Sequence, residues 1–346
     1  MRTNLLIIIV FLAFIGCRVK HNQQESLPNH GLLWKITGND LQSPSYLLGT
    51  FHGQGGMLIL DSIQSFDSIF TSSNQFICEI DFMNAPKLLL EKKDSKSSSY
   101  LKPWPVTDST YENILTDKQK SILDSVIKKD KSLQIIKDWN IRPSKAINFI
   151  KRSHRKDNKN NKLSSKDNLV NDSIKSMILD VYLQQLAKRF NMNVVELDSK
   201  EELQNINDSI SRYIPLISYC SEADFLIYYI QNYSKIDSFK NEHMDKILSI
   251  YLQQDLNLFE QLQMEENLQI NTLLSYIVSD DVKEIQKTLL IDGRNNLWMN
   301  KIPNLIKSNS SFIAVGAGHL GGEKGLINQL RRLNYSVVSM EKTNTN

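Results

Sequence analysis

Two histidines at opposite ends of the chain stand in the same local pattern. Each follows a glycine by three residues, in the pairs Gly49/His52 and Gly316/His319, and each glycine comes at the end of a β-type apolar run. A glycine lets the main chain turn sharply or approach a ligand closely. Open α/β sheets place their binding sites at the carboxyl ends of their strands. The pattern therefore predicts that both histidines contribute to one shared site.

Acidic side chains accompany two further β-type runs. Glu79 and Asp81 stand two residues apart, as do Glu196 and Asp198, and this spacing puts both members of a pair on one face of a strand. Carboxylates and neutral imidazoles are ligands for Zn, Mn or Co. A carboxylate that is left uncoordinated can activate water as a general base. The alternative is that these strand-end acids are only solvated.

Arg294 is the first candidate for stabilising negative charge. It could bind a substrate carboxylate through two hydrogen bonds or hold an acid of the site in place; a surface arginine at a helix start is the alternative. The N–H groups of the turn around Gly318 are a second candidate, because a helix N-terminus can stabilise an oxyanion. This turn also matches GxGxxG, but too few residues follow it for a dinucleotide-binding domain, and His319 would occupy the space of the pyrophosphate.

The elements that position these residues indicate an α/β protein. Strands at both ends of the chain and helical periodicity between them predict a mixed sheet built from N- and C-terminal strands, with a large helical middle region. The lysine- and arginine-rich residues 151–168 are expected to form a solvated loop. The β-type runs lie at residues 32–36, 46–48, 75–81, 192–197, 312–315 and 335–340.

The composition excludes few functions but argues against a nucleic-acid partner. The 346 residues carry 41 basic and 38 acidic side chains, a nearly neutral balance. Beyond the N-terminal region the chain has two cysteines, Cys78 and Cys220, and no Cys/His spacing typical of a structural zinc finger. The two thiols could pair in an oxidising compartment or remain free, and the sequence leaves both possibilities open.

The first sixteen residues are typical of a signal peptide. Their apolar run, residues 5–15, is shorter than the roughly 20 residues needed to span a membrane. Cys17 follows a small residue, as in a bacterial lipobox, so we expect a lipid on Cys17, a polar tether over residues 17–30 and a folded domain over residues 31–341. The protein would then lie at the bacterial cell envelope, anchored to a membrane and facing the periplasm or the cell exterior. Ordinary cleavage and secretion is the alternative.

Taken together, these segments resemble the TraB/GumN family, whose relatives include the TIKI-type metalloproteases. The resemblance implies a fold similar to that of erythromycin-esterase-like proteins and a site built on His52, His319, Glu79 and Arg294. Some relatives are metal-dependent peptidases. The matching pieces are residues 32–35, 46–52, 78–81, 292–295 and 315–335, in the order in which the family has them.

The chain departs from the family pattern at the middle strand. The family often has a Leu-Glu pair there, where this chain has Leu197 and Asp198, so Asp198 or its neighbour Glu196 would have to serve. The segment that begins at Asp180 also lacks the glycine that usually precedes it. These departures leave the role of the middle strand open.

The sequence thus predicts a membrane-anchored, metal-dependent hydrolase that acts on peptide bonds. The expected ligands of the divalent cation (Mn, Co or Zn) are His52, His319 and Glu79, with Asp81 or Asp198 in support. Arg294 and the turn would stabilise developing negative charge. Two alternatives remain: an envelope protein that binds and sequesters a peptide or signalling molecule, and a metal-independent, esterase-like hydrolase that uses a histidine as general base.

Overall fold

A six-stranded mixed sheet forms the centre of the part of the chain that the structure describes. That structure is a computed structural model, and it describes residues 30–83, 110–161, 177–213, 219–259, 261–262 and 288–340. The strands are β1 (Leu33–Thr37), β2 (Ser45–Thr50), β3 (Gln75–Cys78), β4 (Asn193–Glu196), β5 (Ser311–Gly316) and β6 (Ser336–Ser339). Their order across the sheet is β4-β3-β5-β2-β1-β6.

The pairing of these strands brings the first and last strands, β1 and β6, together at one edge of the sheet. β1 pairs antiparallel with β2 and with β6, whereas β2, β5, β3 and β4 run parallel to one another. In this register Thr50 lies opposite Gly316, and Cys78 lies opposite Ala314. Residues that follow β2, β3 and β5 therefore emerge side by side. The sheet confirms the predicted fold class.

The central strands of the sheet are buried on both faces. Every residue of β3 and β5 is buried, which is typical of parallel strands in an α/β protein. Phe66, Phe70, Phe76 and Phe312 pack together in this core, and the rings of Phe70 and Phe312 lie 4.9 Å apart. Burial of one such side chain stabilises the fold by about 1.5–3 kcal/mol.

Helices make up most of the remaining described structure. The short helical turns are the 3₁₀ segments Gly56–Ser62, Lys131–Gln134 and Ala317–His319 and the π-helical segment Thr288–Gly293. The α-helices are α1 (Phe66–Thr71), α2 (Tyr111–Ile114), α3 (Asp117–Lys129), α4 (Ile135–Asp138), α5 (Pro143–Asn161), α6 (Leu179–Arg189), α7 (Lys200–Tyr213), α8 (Tyr219–Leu252), α9 (Arg294–Met299), α10 (Ile302–Ser308) and α11 (Leu326–Arg332).

The helical middle region has a hydrophobic core of its own. Helices α2 to α5 and the first half of α8 enclose it, with Leu226 of α8 fully buried there. The second half of α8 enters the main core, where Tyr251 is buried and donates a hydrogen bond to the carbonyl of Gly49. At the start of α8, the carboxylate of Glu222 accepts hydrogen bonds from Arg142. One long helix thus joins the two cores.

The prediction of a loop over residues 151–168 is wrong for residues 151–161, because α5 extends to Asn161. The helix begins at Pro143, a favourable first helical residue, since proline fixes a helical φ and its missing N–H would have no partner there. Ala146 and Ile150 lie four residues apart and are fully buried in the second core. This apolar face holds the polar helix in place. Residues 162–168 lie outside the described residues.

The remaining predictions on chain organisation concern the two cysteines and the N-terminal segment. Cys78 and Cys220 are both free, the first buried and the second exposed, so the two do not form a disulfide. Within the described residues, no helix has the length and apolar character needed to span a membrane. The signal peptide, Cys17 and most of the polar tether lie outside the described residues and stay predictions.

Candidate functional site

His52 stands two residues after β2 and is supported by a buried carboxylate. Its Nδ1 lies 3.0 Å from Oδ2 of Asp180 in the first turn of α6, and Oδ1 of Asp180 accepts a 2.7 Å hydrogen bond from the hydroxyl of Thr50. The hydrogen bond to Asp180 and the nearby Glu79 raise the pKa of His52 to about 10, although burial opposes this. With no cation bound, His52 is therefore protonated at neutral pH.

The carboxylate of Glu79, directly after β3, is the centre of the site. Its Oε1 accepts a 2.6 Å hydrogen bond from the N–H of Gly316, and its Oε2 accepts one from Arg294. Burial alone would raise the pKa of Glu79, but the His52 contact, the charge of Arg294 and the N–H of Gly316 together hold this pKa well below its usual range. Glu79 is therefore ionised throughout the physiological range.

His319 is buried at the end of the turn that follows β5. Its Nδ1 lies 2.8 Å from Oδ1 of Asn295, and its Nε2 lies 3.2 Å from Nη1 of Arg294. Burial is the main cause that lowers the pKa of His319 to about 3. The two histidines of the GxxH segments thus differ in charge: His319 is neutral, whereas His52 is protonated.

Arg294, the first residue of α9, links three parts of the site. Its Nε and Nη2 donate hydrogen bonds to Asp198 at 3.3 and 2.5 Å, and Nη2 also binds Glu79. The guanidinium lies 4.6 Å above the ring of Trp298, whose indole N–H donates a 2.8 Å hydrogen bond to Asp198. Three charge-assisted hydrogen bonds and one aromatic face fix the position of this cation.

Both histidines direct Nε2 at the same oxygen. Oε1 of Glu79 lies 3.7 Å from Nε2 of His52 and 3.9 Å from Nε2 of His319. Gly316 allows this close arrangement, because a Cβ at that position would lie only 2.7 Å from Nε2 of His52. The His52 side chain is 55% exposed, whereas Glu79 is 12% and His319 is 4% exposed. A substrate would therefore meet His52 first.

The donor atoms of this site are of the types that bind a small divalent cation, but in this structure they are not arranged around one. Two ligand atoms on a tetrahedral zinc ion lie about 3.4 Å apart, whereas Oε1 of Glu79 lies 3.7 Å from Nε2 of His52 and 3.9 Å from Nε2 of His319. As the side chains stand, no three His, Cys, Asp or Glu residues in the described parts of the chain form a metal-holding group. A cation would require His52 to lose a proton, and Arg294 to release the Nε2 lone pair of His319.

These site residues all fall within a span shared with a known family. A sequence model of the TraB/PrgY/gumN family matches residues 32–339. The chain belongs to this family. The match begins just before β1 and ends with β6, which confirms the family resemblance drawn from the GxxH segments. No curated protein and no solved structure gives a significant match to the chain.

For this TraB/PrgY/gumN protein, the structure brings together five of the residues singled out from the sequence: His52, Glu79, Asp198, Arg294 and His319. It does not test their chemical roles, which stay predictions.

Asp81 and the turn around Gly318 are placed differently. The carboxylate of Asp81 accepts a 2.9 Å hydrogen bond from the N–H of Met83, and its own N–H donates to Glu196. The helical turn that contains Gly318 is three residues long, too short for a developed helix dipole. At the end of β5, the N–H of Gly316 already binds Glu79.

Sequence reasoning did not single out Asp180 and Asn295, the residues that hold the two histidines. A signal for Asp180 was present, because it shares a helix face with Leu183 and Ala187, both fully buried. An acid on the apolar face of a helix is rarely buried without a partner. Asn295 directly follows Arg294 in the segment that resembles the family, and it is fully buried as well.

Proposed function

We propose that this protein is a metal-dependent hydrolase of the cell envelope that cleaves peptide bonds. The observation that carries the proposal is the convergence of two imidazole Nε2 atoms on Oε1 of Glu79, at 3.7 Å from His52 and 3.9 Å from His319. The acid-histidine chemistry of the site supports the same reaction class.

In this proposal His52, His319 and Glu79 hold the cation. When bound, a divalent cation supplies Lewis-acid polarisation of the scissile carbonyl. Arg294, which is held by Asp198, would stabilise negative charge that develops on the substrate. The exposed ring of His52 lies at the mouth of the site, so the scissile group approaches from this side.

A second candidate function is metal-independent hydrolysis, and one observation favours it. The Nδ1 of His52 is hydrogen-bonded to the buried carboxylate of Asp180, and the His52 side chain as a whole is 55% exposed. A carboxylate that orients a histidine in this way is the arrangement found behind general-base histidines. After losing its proton, Nε2 of His52 could then take a proton from an attacking water.

The decisive experiment is to measure metal content and hydrolysis on the same preparations. The full-length chain, purified in detergent, is dialysed against trace Mn, Co and Zn, and bound metal is measured by mass spectrometry. The variants are the double variant His52→Gln/His319→Gln, the single variant His52→Gln and the control His30→Gln, because His30 pairs with Asp255 outside the site. Each preparation is then incubated with a peptide library and with small esters, with and without chelator.

Three outcomes separate the candidates. Near-stoichiometric metal in wild type and His30→Gln but none in the double variant, with chelator-sensitive peptide cleavage, supports the metal-dependent hydrolase. Chelator-resistant hydrolysis that a single His52→Gln change abolishes supports the second candidate. Absence of both metal and hydrolysis refutes both and favours a protein that binds and sequesters peptides.

We also propose, from the N-terminal sequence, that Cys17 carries the lipid that anchors the protein to a membrane. Acyl chains contribute about 0.8 kcal/mol per buried CH₂, so several chains give stable attachment. Metabolic labelling with a fatty acid should mark the wild type and not Cys17→Ser. Equal labelling of both proteins, or membrane attachment that persists in Cys17→Ser, would remove this part of the proposal.

A further inference from the structure

The orientation of one buried amide determines which nitrogen of His319 carries hydrogen. Asn295 is fully buried, and its Nδ2 donates hydrogen bonds to the carbonyls of His319 at 3.2 Å and Lys324 at 3.0 Å. Carbonyl oxygens only accept hydrogen bonds, so the amide cannot be rotated the other way. Its Oδ1 therefore faces Nδ1 of His319, 2.8 Å away, and this nitrogen must be an N–H donor.

The other ring nitrogen is constrained by an independent contact. Nη1 of Arg294 lies 3.2 Å from Nε2 of His319, and a guanidinium has no acceptor atoms. Nε2 must therefore present a lone pair. The ring of Trp298 lies 4.4 Å from the imidazole and limits its rotation. Contacts on opposite sides of the ring thus require the same Nδ1–H form.

We propose that Asn295 is a positioning residue that holds His319 in the Nδ1–H form and keeps its Nε2 lone pair directed into the site. The functional importance of this lone pair rests on the proposed function, because in that proposal the lone pair binds the cation. Asp180 supports His52 in the corresponding place, but with a carboxylate instead of an amide. The two GxxH histidines are therefore not interchangeable.

The first test is spectroscopic and needs neither metal nor substrate. The full-length chain is labelled with ¹⁵N at its six histidines, freed of metal with chelator and studied by long-range ¹H–¹⁵N correlation, with His319 assigned from His319→Gln. We expect a pyrrole-type Nδ1, a pyridine-type Nε2 and a slowly exchanging Hδ1 proton. An Nε2–H form of His319 in the wild type would overturn the proposal.

Variants of Asn295 then separate positioning from packing. In Asn295→Ala we expect the Hδ1 signal to be lost through exchange with water. Asn295→Asp keeps an acceptor opposite Nδ1 and should retain the signal, with its second oxygen protonated because that oxygen faces the carbonyls of His319 and Lys324. Asn328→Ala is the matched control, because Asn328 donates to the carbonyl of Gly322 in the same segment. A protected Hδ1 in a folded Asn295→Ala protein would contradict the proposal.

Metal affinity supplies a second readout. Loss of a residue that orients a metal-bound histidine typically weakens metal binding by about 10–100-fold. We expect this loss in Asn295→Ala, recovery in Asn295→Asp and no change in Asn328→Ala; an unchanged affinity in Asn295→Ala would contradict the proposal. If the wild type itself binds no metal, the proposed metal-dependent reaction fails, and the Hδ1 measurement still decides the role of Asn295.

Discussion

Replacing Gly316 with alanine tests whether the close approach of the main chain to the site is required. A Cβ at this position would lie 2.7 Å from Nε2 of His52 and 3.3 Å from Oε1 of Glu79. The backbone of Gly316, with φ of −52° and ψ of 135°, is open to alanine. The effect of the substitution therefore comes from the contact of the new methyl group and not from backbone strain.

The size of the effect follows from these distances. Ordinary van der Waals contact begins at 3.4 Å, so Nε2 of His52 must retreat by about 0.7 Å. Overpacking usually costs about 1–3 kcal/mol, and the half-exposed ring of His52 can move outward, so we expect a loss of about 1 kcal/mol in the free energy of unfolding. A displacement near 1 Å at a reacting centre can lower the rate by about 10²-fold.

Gly49→Ala provides the comparison, because Gly49 is the first residue of the other GxxH segment. A Cβ there would lie 3.0 Å from Leu320 and 3.1 Å from the main chain of Ala317, inside the core. We expect this variant to lose mainly stability, measured by urea unfolding. Gly316→Ala should instead lose mainly metal binding and hydrolysis. If Gly316→Ala keeps both at wild-type level, the proposed site geometry is refuted.

Three further predictions concern the charges of the site. In Asp180→Asn the pKa of His52 should fall from about 10 toward its ordinary 6.5, followed by NMR titration; a pKa that stays near 10 would show that Asp180 is not the main cause. Because this pKa is raised on folding, the contribution of His52 to stability is complete below about pH 6.5 and is lost as the pH rises through 10. Urea unfolding should show this loss of free energy of unfolding in wild type and not in His52→Gln. The same pH dependence of stability in both proteins would contradict the prediction. Arg294→Gln should lower the free energy of unfolding by about 3–5 kcal/mol, because it leaves the carboxylates of Glu79 and Asp198 buried without their cation. A loss below about 1 kcal/mol in urea would count against this role.

The sheet could be predicted from the sequence because its strands carry strong local signals. β5 is a continuous apolar run that ends at Gly316, which is typical of a parallel strand buried on both faces. The helix α5 was missed because its sequence is mostly polar and lysine-rich. Its few apolar residues, such as Ala146 and Ile150, are buried only because α8 supplies a partner surface. The formation of α5 therefore depends on tertiary packing, which the local sequence does not show.

The site likewise combines residues that a local sequence signal reveals with residues that only tertiary packing brings in. His52 and His319 could be singled out because each follows a glycine at the end of a strand. Asp180 reaches His52 across 128 residues of sequence, and nothing in the local pattern specifies that pairing. The protonation states were likewise beyond prediction, because they depend on whether a carboxylate, an amide or Arg294 faces each ring.

The topology separates the site from the second hydrophobic core. The residues of the site come from the carboxyl ends of four neighbouring parallel strands, β2, β3, β4 and β5, and from the first turns of α6 and α9, and none of these site residues belongs to the second core. The helical middle region nevertheless meets the site through α8. Met244 and Leu248 of this helix lie 3.3 and 2.6 Å from the positions that a Cβ on Gly53 or Gly55 would occupy, in the loop that follows His52. Sequence changes along α8 can therefore alter the surface beside His52 without touching Glu79, Arg294 or His319, which makes α8 the element on which to look for substrate specificity.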